Sequence, residues 1–191
     1  MTDLTAAPAV LPELEAEKTR VIRATRMGVG MPIAGMLYWL AYAVLVSQFE
    51  IQRAVYMSFF ATGLVFPLGV LFTRMAGGDL FTKSPALTAL GLQLAAVQLF
   101  YWPVMTILAS IAPRWTPYCM AVMFCSHFLP YGWLYRSRGY MVLAILTAAA
   151  TTATVLIARG PAPQVVPLVA AGSYLVSILM IRAETEKTLR G

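Results

Sequence analysis

A chain of 191 residues that is 60% hydrophobic and 12% charged, with a mean hydropathy of +0.74, lacks the polar surface of a soluble domain, in which roughly 25% of residues are charged. Its net charge of +6 does not point to nucleic acid, because the basic residues are scattered among short connectors and form no stripe or binding motif. These features fit an all-α integral membrane protein whose first partner is the lipid bilayer. At about 20 residues per span the length allows several crossings and almost no soluble domain.

In chain order, residues 1–26 form an N-terminal tail, of which 1–10 read as disordered. The stretch "LPELEAEKTRVIRATR" (11–26) places Leu11, Leu14, Val21 and Thr25 roughly on one side of a helix, with Lys18 interrupting them. It reads as a solvated, partly helical tail, with a helix lying on the membrane surface as the alternative. The first apolar run starts near Met27, follows mixed charge and is too long for a signal peptide, so it reads as an anchor.

Six apolar stretches follow, at 27–47, 54–73, 85–111, 118–135, 140–158 and 164–181, giving a transmembrane domain over 27–181 and a tail at 182–191. Each is expected to be helical, because lipid cannot satisfy a bare backbone. Short connectors make neighbouring helices antiparallel. Ser84-Pro85 resembles a helix start, and Gly77-Gly78 marks the exit from the second span. Eleven Lys and Arg on one set of connectors and tails against three on the other put both termini in the cytoplasm of a bacterial inner membrane. A homo-oligomer is compatible with this layout.

The motifs "LYWL" and "FYWP", and "FPLGVLF" and "LPYGWLY", share one offset of 63 residues, and that register gives nine identities over 28–73 against 91–136. The identities include Trp, Tyr, Pro and Gly, so helices 1–2 and 3–4 read as a parallel internal repeat. Within it, Pro67 with Gly69 and Pro130 with Gly132 predict helix kinks, since each proline frees the carbonyl four residues earlier, at Gly63 and Ser126.

All eight carboxylates lie outside the spans, which leaves no intramembrane acid–base pair, proton relay or acidic metal site. His127, the single histidine, falls near the middle of span four. Helical spacing puts Met123 and Tyr131 on its face and Met120 one turn further out. The plain reading is a neutral histidine hydrogen-bonded across helices. The sharper ones are a ligand path or pH sensor with Tyr131, Gln93 and Gln98, or a soft-metal site with Met120 and Met123. Gln93 and Gln98 read first as bonds between helices, and Thr147, Thr151 and Thr154 as a close-packing face. Ser126 and His127 point about 100° apart and form no nucleophile–base dyad. Cys119 and Cys125 diverge by about 120° and cannot pair.

At the cytoplasmic side Arg74, Asp79, Lys83, Arg136 and Arg138 gather near tyrosines and a tryptophan. They read as positive-inside charge with an aromatic belt, or as a pocket for anionic lipid headgroups or solutes in which Asp79 pairs with an arginine.

Together "LYWL", "FPLGVLF", "GDLFTKSPALTALG" and "HFLPYGWLYRSRGY" resemble a family of small bacterial six-helix membrane proteins of unknown function. The resemblance covers about residues 27–145. It implies architecture and bacterial origin, and carries no reaction, cofactor or ligand. The expected function is a small transporter or solute-binding membrane protein with a site between the repeated hairpins. The alternative is a non-catalytic accessory or lipid-interacting protein. With no phosphate loop or hydrolase motif, an enzyme is the weakest reading.

Overall fold

In a computed structural model of the chain, residues 7–82 and 84–190 are described, and they are helical with no strand among them. The order is α1 (Ala7–Thr25), α2 (Gly30–Gln48), α3 (Ile51–Thr62), α4 (Val65–Met75), α5 (Pro85–Ala96), a 3-10 stretch (Val97–Tyr101) and α6 (Trp102–Ile111). After a short 3-10 turn come α7 (Thr116–Ser126), α8 (Leu129–Leu134), α9 (Arg138–Ile157) and α10 (Val166–Arg190). The turn from α1 into α2, residues 76–82, the α8–α9 turn and the end of α10 gather at one end of the bundle, hereafter the terminal face.

Four helical stretches are long and apolar enough to cross a membrane: Leu11–Gln48, Leu87–Ile111, Arg138–Ile157 and Val166–Arg190. Taken together, α3 and α4, bent by 47°, make a fifth. The sequence leads one to expect six. The missing one is α7–α8, which the break at His127–Phe128 divides into pieces of 11 and 6 residues. In Leu11–Gln48, Arg26, Met27 and Gly28 have φ of 51°, 54° and 61°. This left-handed turn separates charge-rich α1 from apolar α2. Expected to be a tail, α1 is helical from Ala7, and its Val21, Ile22 and Thr25 are buried. Likewise, the expected C-terminal tail continues α10 as helix to Arg190.

Proline chemistry explains the breaks. Pro67 and Pro130 each stand in the first turn of the helix that follows a break, at Gly63–Leu64 and at His127–Phe128. Pro103, at the start of α6, has the same effect on the third span, which sequence reasoning took as continuous; the 3-10 stretch lies just before it. In each case the ring removes a donor and pushes back the preceding turn.

The core sits among α2, α9 and α10, with α4 laid along the other side of α2 and α7 against α9. Trp39, Tyr42, Tyr140, Leu143 and Ile181 are fully buried there. Without a hydrophobic force between helices in lipid, close backbone approach matters most. At the α2–α4 crossing a Cβ on Gly30 would strike the Gly69 carbonyl and the Thr73 backbone, so only glycine fits. Thr147 and Thr151 are buried on α9, on the face expected to pack closely.

The two hairpins read as a repeat are not packed alike. α2 runs unbroken against α4, whereas α5 and α6 are interrupted and α5 only touches α8. Gly69 receives Met31 of α2, whereas Gly132 receives Met141 of α9. The two segments share their proline breaks, but the packing does not support a second copy of one hairpin. The α5–α6 arm is peripheral: 11% of its apolar window is buried, against 50% for α10.

Candidate functional site

Two helix breaks meet inside the bundle. At the end of α7 the His127 imidazole folds back on its own helix, and its Nδ1 bonds to the Phe124 carbonyl. That bond makes Nδ1 the donor and leaves Nε2 an acceptor. The acceptor receives the side-chain amide of Gln98, which is 2.7 Å away and sits on the 3-10 stretch ahead of Pro103. Beside this pair the Tyr101 hydroxyl meets Ser126 Oγ at 3.1 Å. Two breaks, one in the α5–α6 arm and one between α7 and α8, thus bring one half-buried polar pair together among apolar side chains. An amide has four hydrogen-bonding positions, and His127 uses one of them.

The pair lines a crevice, at the end away from the terminal face, with a cavity volume of about 70 Å³. One wall is aromatic: Phe128 stands 3.9 Å from the His127 ring centre, and Tyr131, Tyr135 and Tyr140 continue toward the terminal face at centroid spacings of 5.5 to 5.9 Å. Their hydroxyls are used structurally. Tyr131 donates to the Gly91 carbonyl at 2.6 Å, and Tyr140 donates to the Met27 carbonyl at 2.7 Å. The opposite wall is aliphatic, from Leu87, Gly91, Leu92 and Ala95 of α5. Val21 and Thr25 of α1 cover the end at the terminal face. Phe66 of α4 and Leu92 of α5 flank the side, both well exposed, and these two helices do not pack closely on each other. The crevice is therefore apolar along its length, polar at its floor and open between α4 and α5.

Of the residues singled out from sequence, His127, Tyr131 and Gln98 share this crevice. Gln93 does not line it and is exposed on the outer side of α5. Met120 is fully buried, with its sulfur 3.9 Å from the Tyr38 hydroxyl, and Met123 packs on the core; neither lines the crevice. With both ring nitrogens of His127 bonded to protein, the three do not present a ligand set. Sequence reasoning missed Phe128, Tyr140 and the α5 wall. Pro103, which breaks the helix just after Gln98, was the signal available.

The basic cluster expected at this end divides. Arg136 pairs with Glu15 of α1 and reaches Thr19. Arg138 lies beside Arg136 at the start of α9, and both line a cavity between α1 and the end of α10. Arg74 is exposed at the end of α4, apart from them. Asp79 pairs with no arginine among the described residues; its carboxylate accepts the Phe81 N–H within its own turn at 3.0 Å. Lys83 lies outside the described residues.

Helix α1 is fastened over this end by charge. Lys18 sets its ammonium 4.2 Å from the centre of the Trp133 ring and 3.4 Å from Glu15, and burial lowers its pKa. Two hydrogen bonds from the Arg20 guanidinium hold the Glu17 carboxyl down at about 2.

Residues 14–184 match a family of unknown function (DUF7010). The match extends past the resemblance read from sequence and takes in α9 and most of α10. No curated protein and no solved structure matches the chain.

Proposed function

The chain belongs to this family of unknown function, and we propose that it is a multi-pass protein of the bacterial inner membrane that binds an apolar, chain-like ligand through one small polar group. Both termini would face the cytoplasm, a reading supported by eleven Lys and Arg against three on the two sets of connectors. The observation that carries the ligand reading is the crevice: aromatic and aliphatic walls end on the single Gln98–His127 pair. An apolar chain gains contact along the walls, while a hydroxyl or carbonyl at its tip bonds to the open positions of the Gln98 amide. Entry between α4 and α5 needs no passage through water.

Transport is part of the leading expectation from sequence. It would require opening toward the opposite side, and no lining residue of the crevice comes from that far half of the bundle. Binding is therefore the reading adopted, which favours the lipid-interacting alternative. Mass spectrometry of lipids retained through purification tests it. The expected result is a neutral or isoprenoid-like lipid held by the wild type and lost on His127→Ala, with helicity unchanged. An equal lipid complement in both proteins would overturn the proposal.

A further inference from the structure

At the terminal face, on the side of α1 away from the crevice, a second cavity of about 450 Å³ lies between α1, the α8–α9 turn and the last turns of α10. Its rim carries Arg136, Arg138 and Lys187 against one carboxylate, Glu184. That carboxylate is already committed: it accepts from Ser137 Oγ and from the backbone N–H groups of Arg138 and Gly139, at 3.0 and 3.2 Å for the latter two. It caps the start of α9, and its single charge leaves the rim of three cations net positive. Arg136 is held by Glu15, whereas the side chains of Arg138 and Lys187 have no partner among the described residues. The floor is apolar, from Ile22, Met27 and Tyr135. Two cations without a partner among the described residues, and a third beside them, thus stand above an apolar floor at the end of a bundle of apolar helices.

We propose that this cavity binds a phosphate-bearing group, with Arg138 and Lys187 as its direct ligands and Arg136 beside them. The site shares Tyr135 with the crevice wall and is otherwise built from different residues. Guanidinium gives paired N–H donors to phosphate oxygens, and the lysine adds a mobile point charge.

The test measures binding to the purified full chain in uncharged detergent. The probes are inorganic phosphate, short-chain phosphatidylglycerol, and short-chain phosphatidylcholine as the zwitterionic comparison. Binding of phosphatidylglycerol alone identifies a lipid headgroup site; binding of inorganic phosphate as well identifies a site for the free anion. In either case Arg138→Ala and Lys187→Ala, both exposed positions, should each weaken binding roughly tenfold. Arg74→Ala and His127→Leu should leave it unchanged. The proposal fails if neither anionic probe binds, if phosphatidylcholine binds equally well, or if Arg74→Ala costs as much as Arg138→Ala. Loss on His127→Leu would also overturn it, by merging this cavity with the crevice. Retention there while the crevice lipid is absent would sink only the crevice reading.

Discussion

The breaks at Gly63–Leu64 and His127–Phe128 come from one device: a proline in the next helix, followed two positions later by glycine. Their surroundings differ. Leu64 is 60% exposed, so the first break presents an apolar side chain to the outside. His127 is 9% exposed and meets a second break carrying Gln98. A kink alone is therefore only a bend. It becomes a site when another interrupted helix faces it and supplies the complementary polar group.

Making the second break resemble the first is the strongest way to attack this contrast. His127→Leu should abolish lipid retention and cost about 1–3 kcal/mol, because the Gln98 amide and the Phe124 carbonyl lose their partner; unfolding in detergent checks the second part. The mirror change, Leu64→His, should leave lipid retention as it is. Next comes Pro130→Ala, which lets α7 and α8 join and turns His127 away from Gln98. Retention should fall roughly tenfold, the size of one lost anchoring bond, while Pro67→Ala spares it. Tyr131→Phe removes only the bond to Gly91 and should lower stability by about 1 kcal/mol in the same unfolding measurement. The smallest effect belongs to Gln93→Leu on the exposed side of α5, within about 0.5 kcal/mol and with lipid retention intact. A large loss there would mean that the outer face of the arm is part of the function.

Helix positions were legible because apolar runs and prolines act locally. The Pro67 and Pro130 breaks fall one turn ahead of the ring, where steric argument puts them. Gln98 and Gln93 could not be separated by composition. Five residues apart on a helix they point about 140° away from each other, so only one can face His127. Lys18 looked like an interruption of an apolar side, yet it is buried, because Trp133, distant in sequence, receives its ammonium. Asp79 looked like a partner for arginine and instead closes its own turn. Burial of a charge and choice of partner depend on which chain segments meet, and residue spacing does not record that. Packing of the two hairpins was illegible for the same reason: identical Pro-x-Gly pairs fit against different neighbours.

The Glu184 cap on α9 has a consequence for biosynthesis. The carboxylate that satisfies the Arg138 N–H is separated from it by 46 residues. During synthesis the Arg138 and Gly139 amides therefore lack this carboxylate until most of α10 has been made, while Ser137 caps Tyr140 locally. The last hairpin should be secured in one late step, with the cap acting as the signal that both of its helices have arrived.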